Sequence, residues 1–301
     1  MTQRALLLVN RHSRRGEETL TQAISKLKAL GLELFEESTG KPQQLSNIIR
    51  RYRDRVDLVI IGGGDGTLNA AVEGLVDTQL PLGILPLGTA NDLARTLKIP
   101  PSIPEACEVI ASGYNQRIDL GRVNNKHFFN VASLGLSVQI TQQLDKKAKR
   151  FWGVLAYAAT AIKVVWKARL FWAEIRLRGE SIRVRTIQIA VGNGRYYGGG
   201  MAVADDAAID DQRLDLYSLE CRHWWQLVRL FPSLRRGKHA DWSEVRTLQG
   251  KEFEIYTRRP QPINADGEIV TYTPAKFQLV PRAISVFVPY FPQLQELKIK
   301  T

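Results

Sequence analysis

The chain has 301 residues, 44% hydrophobic and 24% charged, with a formal net charge of +12. That supports two modest cores, while the lack of any apolar run of about 18 residues argues against a membrane-spanning helix. Two cysteines, Cys107 and Cys221, exclude a disulfide framework and, with no signal-like N-terminal stretch, point to a reduced cytoplasmic protein. In chain order, strands are predicted near 4–10, 32–38, 57–61 and 82–86, and helices near 17–30, 43–53, 67–76 and 90–97. This alternation predicts an α/β domain with an open, mostly parallel sheet over residues 1–120. Short β-rich runs follow at Thr186–Val191, Arg213–Leu219, Glu252–Tyr256 and Ala283–Val288, which predict a mainly antiparallel second domain over 121–288.

The charge breaks where the pattern breaks. Residues 1–120 hold 14 Lys/Arg and 14 Asp/Glu, so residues 121–301, with 28 and 16, carry the whole excess. Within the second domain, Phe151, Leu155, Ala158, Ile162 and Val165 recur at helical spacing, with Lys147, Arg150, Lys163 and Lys167 off that line. Residues 146–170 are therefore expected to form a basic amphipathic helix, with Trp152, Trp166 and Trp172 near its ends. Such a helix is either a membrane-surface element or a core helix with a solvated basic face. Residues 221–240 repeat the composition, with Trp224, Trp225, Arg229, Arg235, Arg236 and Lys238. A peripheral protein gains about 1 kcal/mol per basic residue near an anionic surface, so a membrane partner at the inner face is expected. No nucleic-acid motif is present, and no nucleic-acid partner is expected.

Two loops carry the chemistry of the first domain. Asp57-Leu58-Val59-Ile60-Ile61 is a buried-strand run that ends in Gly62-Gly63-Gly64-Asp65-Gly66-Thr67 and passes into Leu68-Asn69-Ala70. Glycines let the backbone approach an anion or take positive φ, and the following helix turns its free amides toward a phosphate. Asp65 would repel a bare phosphate, so either a divalent cation bridges the two or Asp65 holds another group in place. There is no Gly-x-x-x-x-Gly-Lys-[Ser/Thr], and no Gly-x-Gly-x-x-Gly follows the first strand, so the two commonest nucleotide fingerprints are excluded. The second loop, Leu85-Pro86-Leu87-Gly88-Thr89-Ala90-Asn91-Asp92, again puts a glycine and a hydroxyl at a strand end, with Asn91 or Asp92 expected to cap the next helix. On one sheet, the two loops should lie side by side at the carboxyl edge. Ser38-Thr39 follows the second strand, where a hydroxyl meets nucleotide or merely serves a turn.

In order and spacing these motifs, with Val191-Gly192-Asn193-Gly194-Arg195-Tyr196-Tyr197-Gly198-Gly199-Gly200 and Asn264-Ala265-Asp266-Gly267-Glu268, resemble the diacylglycerol-kinase-like family of lipid kinases over nearly the whole length. The resemblance implies an α/β domain followed by a β-sandwich, with the tail 289–301 returning to the first domain. It also implies phosphoryl transfer from ATP, with Mg²⁺, to a hydroxyl of a membrane lipid, and leaves homodimer assembly open. The expected nucleotide set is Ser38, Thr39, Gly62, Gly63, Gly64, Asp65, Gly66, Thr67, Leu68, Asn69, Ala70, Gly88, Thr89, Asn91 and Asp92. Asp266 and Glu268 are implied as the catalytic pair, with either one as the base. A structural Mg²⁺ is implied at the Asp211 side chain, with carbonyls of Ala208 and Arg213 beside it; Gln212 stands where the family has glycine. Two alternatives from other classes are a non-catalytic nucleotide- and lipid-binding relative and a soluble-substrate kinase of the NAD-kinase type. The four histidines show no ligand spacing.

Overall fold

The computed structural model describes residues 2–9, 16–37, 41–143, 169–204 and 206–290. The expected basic helix at 146–170 lies almost wholly outside the described residues, as do Ser38, Thr39 and residues 291–301. The chain divides into two units, Met1–Ile118 with Arg282–Thr301, and Asp119–Pro281.

The first unit is built on β1 (Gln3–Val9), β2 (Leu32–Glu37), β3 (Leu58–Gly63) and β4 (Leu82–Pro86). They pair in parallel in the order β2-β1-β3-β4. Both central strands are buried along their apolar stretches, which is why they read as continuous apolar runs rather than alternating ones. α1 (Gly16–Ala29) packs with α5 (Ile103–Ala111): the buried Cys107 thiol lies 3.9 Å from the Ala23 carbonyl. A β-carbon at Gly83 of β4 would come within 2.9 Å of Ile110 on α5. α2 (Leu45–Arg51) meets α3 (Asp65–Thr78) so closely that a β-carbon at Gly74 would stand 2.7 Å from the Ser46 backbone. α4 (Asp92–Thr96) is a short helix behind the second loop. The sequence pattern omitted α5, although Ile103, Ala106, Cys107 and Ile110 have helical spacing and a proline stands in its first turn. Burial pushes the Cys107 and Cys221 thiols up to about 11, as expected of core residues.

Return to this unit begins at Arg282, earlier than the tail at 289–301. The final part of the last strand, β18 (Ala275–Phe287), runs parallel to β4 with Val286 opposite Leu82. Residues 283–288, expected in an antiparallel domain, are therefore a parallel strand of the first sheet.

In the second unit, β5 (Asn115–Val123), which brings the chain in, turns into β6 (Lys126–Phe128) and passes to β7 (Val131–Gly135) and α6 (Leu136–Gln143). After the undescribed stretch come β8 (Phe171–Leu177), β9 (Glu180–Thr186), β10 (Gln188–Gly192) and the short β11 (Tyr196–Tyr197) and β12 (Met201–Ala202). β13 (Leu214–Leu219), α7 (Trp224–Arg236), β14 (Val245–Gly250), β15 (Glu252–Thr257), β16 (Pro262–Ala265) and β17 (Glu268–Tyr272) complete it. One antiparallel sheet runs β14-β13-β10-β7-β16-β17. The other contains β9, β8, β15 and the first part of β18. Alternation assigns the layers. Ile189, Val191, Leu214 and Leu216 enter a core shared with Ile175, Phe253 and Phe277 of the facing sheet. Ala190, Tyr217 and Leu219 point the other way, against Leu227, Leu230 and Leu234 of α7. The second unit is thus a β-sandwich with a helix on its outer face.

Candidate active site

In the first unit, β3 and β4 are neighbours in register, with Gly63 opposite Pro86, so the two loops leave the sheet side by side. The Leu87 amide donates to the Gly63 carbonyl at 3.1 Å. Asn91, at φ +50°, does not cap α4. Its Oδ1 accepts from Gly88 N at 2.9 Å, and its Nδ2 donates to the carbonyls of Pro86 and Gly88. Asp65 from the other loop takes that role instead, accepting from Leu93 N at 3.1 Å through Oδ1. A carboxylate there suits the positive end of α4 and ties one loop to the other. The carboxylate that looked anomalous beside a phosphate is thus placed by its own protein.

None of Gly62, Gly63, Gly64, Gly66 or Gly88 has positive φ, so left-handed backbone does not demand them. A β-carbon on Gly62 would meet Val9 at 2.9 Å, one on Gly63 would meet Thr67 at 2.6 Å, and one on Gly88 would lie 2.4 Å from the Gly64 α-carbon. Gly66 differs: nothing lies within 4 Å of the place its β-carbon would take. α3 begins at Asp65, earlier than the sequence pattern predicts, so Gly66 is in its first turn, where helix geometry leaves the leading amides without intrahelical partners, although the Thr67 amide donates to the Gly64 carbonyl at 2.9 Å. Of the remaining expected residues, Thr89 is exposed and Leu68 is buried in the core. The Ala70 carbonyl accepts from Ser46 Oγ, Asp92 is buried at the start of α4, and Asn69 Oδ1 is buried with no partner among the described residues.

In the second unit, β16 and β17 form a hairpin closed by Asp266 and Gly267 at φ +46° and +97°. Asp-Gly with both φ positive is the turn that matches strand twist, which is why this pair sits here. The Asp266 carboxylate accepts from three successive amides, Phe129 N at 2.6 Å, Asn130 N at 3.0 Å and Val131 N at 3.1 Å. Asp266 N returns a bond to the Val131 carbonyl, and Asn264 Oδ1 accepts from Gly267 N. The sheet order explains the meeting: β10, β7 and β16 are adjacent, and their ends bring Asn193, Asn130 and Asp266 to one edge. Buried Asn193 braces that edge, donating through Nδ2 to the carbonyls of Asp119 and Phe129. The role of 128–131 was invisible in sequence because it consists of backbone amides. The Glu268 side chain is exposed and makes no hydrogen bond or ion pair among the described residues. The two acids of Asp-Gly-Glu are therefore not equivalent.

Asp211 lies apart from that turn in sequence, in residues 207–213. Its carboxylate accepts from the amides of Ala208 and Arg213, both at 3.2 Å. Gln212 has φ +57°, the left-handed backbone that glycine would supply without cost, and donates its amide to buried Asp119 at 2.8 Å. Arg213 turns its guanidinium onto three acids: Nη2 to Asp206 Oδ2 at 2.7 Å, and Nε to Asp211 Oδ2 at 3.2 Å and Asp215 Oδ2 at 3.6 Å. Burial, outweighing the amide bonds and Arg213, raises the Asp211 pKa, and burial likewise raises that of Asp215. Burial opposes the Arg213 charge, but the Asp206 hydrogen bond and the three carboxylates together more than offset it, so its pKa is raised too. Among the described residues no group of three or more His, Cys, Asp or Glu is placed to hold a metal ion. A resident Mg²⁺ at Asp211 does not fit this loop: the Arg213 guanidinium stands 3.2 Å from the carboxylate, an ion pair in which Nε makes no hydrogen bond.

Comparison with known proteins agrees with this two-part architecture. A family model described as diacylglycerol kinase catalytic domain matches residues 4–123, and one described as YegS C-terminal NAD kinase beta sandwich-like domain matches residues 130–288. The chain belongs to the diacylglycerol-kinase-like family. Diacylglycerol kinases of Staphylococcus aureus strains RF122 / ET3-1 and MRSA252 are each 29% identical over 294 residues, covering 96% of this chain and 93% of theirs. The crystal structure of a diacylglycerol kinase from Bacillus anthracis strain Sterne aligns with a TM-score of 0.81 and 25% identity, over 97% of this chain and 98% of that one. The family makes the protein an enzyme, a lipid kinase of the phosphotransferase class. Among the described residues no helix is long and apolar enough to cross a membrane.

Space separates two kinds of glycine, and substitution tests the division. Gly88→Ala forces a β-carbon against the Gly64 backbone and should cost about 1–3 kcal/mol, visible as a lower Tm. Gly66→Ala has room and a helical position, so it should leave Tm unchanged or raised while weakening ATP binding in calorimetry. Unchanged ATP affinity in Gly66→Ala would remove the first turn of α3 from the nucleotide site.

Proposed function

We propose that this lipid kinase transfers the γ-phosphate of ATP, bound with Mg²⁺, to a hydroxyl of a membrane lipid such as diacylglycerol, with Glu268 as the base. The observation that carries the assignment is the asymmetry of the acid pair. Asp266 is committed to three backbone amides, whereas Glu268, two residues on, is exposed and uncommitted among the described residues. Three amide donors already occupy the Asp266 oxygens, which suits that carboxylate to a positioning role. On this reading, the lipid hydroxyl passes its proton to the Glu268 carboxylate as its oxygen attacks the γ-phosphorus. The bond to the bridging oxygen breaks, and ADP leaves with that oxygen. The first turn of α3, with Gly66 open and the dipole end toward the phosphates, supports ATP as donor. Mg²⁺ would neutralise charge on the triphosphate. The curated relatives' name favours diacylglycerol as acceptor, and a soluble NAD substrate would leave the apolar, basic face described next without a use.

α7 supports work at a membrane surface. Leu227, Leu230 and Leu234 face the sandwich, while Trp224, Trp225 and Val228 are about half exposed. Arg222, Arg229, Arg235, Arg236 and Lys238 are exposed around them. The helix is fixed at its start by Gln226 Oε1, which accepts from His223 N, and ends at Gly237 with φ +75°. Exposed tryptophans beside a cluster of cations suit the interface of an anionic bilayer.

Labelled ATP offered with vesicles containing diacylglycerol, and separately with NAD, tests the reaction: labelled lipid is expected, and labelled NADP without labelled lipid would overturn it. Glu268→Gln should lower turnover by about 10²–10⁴-fold with ATP affinity preserved, as loss of a general base does. Near-normal turnover in that variant would take the base elsewhere. For the membrane, Trp224→Ala with Trp225→Ala should weaken cosedimentation with anionic vesicles, and binding by the parent should fall as salt rises. Equal, salt-insensitive binding to neutral and anionic vesicles would make α7 an ordinary solvated helix.

A further inference from the structure

We infer that Arg213 replaces a resident divalent cation, so that residues 206–215 are held by an internal guanidinium and the protein needs no structural metal there. Three carboxylates converge on this one side chain. Asp206 takes its Nη2 at 2.7 Å, and Nε stands 3.2 Å from Asp211 and 3.6 Å from Asp215. Asp215 is on β13 and almost fully buried, Asp211 is in the turn before it, and Asp206 is five residues further back. One cation among them does the work expected of a metal: it joins the turn to the strand and partly offsets the two more buried carboxylates, Asp211 and Asp215, while exposed Asp206 anchors its other end. The backbone agrees. Both Asp211 oxygens accept an amide of the same turn, through Ala208 N and Arg213 N, so the loop closes on itself without a bound ion. Gln212 holds the left-handed turn, and its amide is taken by Asp119. Arginine suits the post, being charged at every working pH and able to offer donors in several directions.

Two consequences follow for the intact chain, independently of which lipid it phosphorylates. Its thermal stability should be indifferent to divalent cations when no nucleotide is present, and its Mg²⁺ requirement in catalysis should track the ATP concentration alone. Melting curves with excess EDTA and with millimolar Mg²⁺, together with equilibrium dialysis against Mn²⁺, test this directly. The parent chain is expected to melt at one temperature in both and to retain no Mn²⁺. Arg213→Met, which keeps the stem but removes the charge, should lower Tm in EDTA by roughly 5–10 °C. It should also gain a Tm increase on adding Mg²⁺ that the parent lacks. Arg213→Lys keeps a cation and should retain most of the parent's Tm without responding to Mg²⁺. If Arg213→Met fails to fold while Arg213→Lys folds, the charge requirement stands. A parent that loses stability in EDTA and regains it with Mg²⁺ would overturn the inference. So would Arg213→Met melting like the parent, or both variants failing to fold.

Discussion

Three amides closing on one carboxylate fix the hairpin tip of the second unit. Phe129, Asn130 and Val131 donate to Asp266, and by doing so lock the end of β7 to the hairpin of β16 and β17. A two-residue Asp-Gly turn alone would be one of many hairpin tips. Fastened at its first residue, and braced by Asn264 on Gly267 and by Asn193 behind Phe129, it becomes a rigid mount for the next side chain. That side chain is Glu268. Rigidity without saturation is the condition for a working base: its support must be locked, and its own oxygens left unused.

The first unit shows the same economy. Its glycine loop suggests flexibility, yet Gly62, Gly63 and Gly88 are small because neighbouring atoms fill the space beside them. Asp65 is spent inside the protein, on the helix that follows the second loop. What packing leaves open is narrower than the motif: the first turn of α3, with its dipole end and the one glycine of that strand-loop-helix whose β-carbon would meet nothing.

Much of this was legible in the sequence, for definite reasons. The parallel strands announce themselves because burial on both faces makes Leu6-Leu7-Leu8 and Leu58-Val59-Ile60-Ile61 continuous apolar runs. The pairing of the two loops followed from two successive strand-helix units, and the family was legible in the order of four polar motifs. Other features were hidden because they depend on contacts distant in sequence. Nothing local marks Ala283–Val288 as parallel to β4, since β-rich composition is the same in either orientation. Asp266 and Glu268 could not be told apart until the amides of residues 129–131, more than a hundred positions earlier, were seen on only one of them. The family resemblance implies only the Arg213 carbonyl, whereas its side chain is the cation among three acids.

In the proposed mechanism Asp266 acts only by holding Glu268 in place. A double-mutant cycle in kcat/KM for lipid phosphorylation, using Asp266→Asn, Glu268→Gln and the two together in folded protein, measures that coupling directly. If Asp266 works through Glu268, each single change lowers the rate, and the double variant is no slower than Glu268→Gln alone. Rate losses that multiply in the double variant would mean that the two carboxylates act independently and that Asp266 does not work through Glu268.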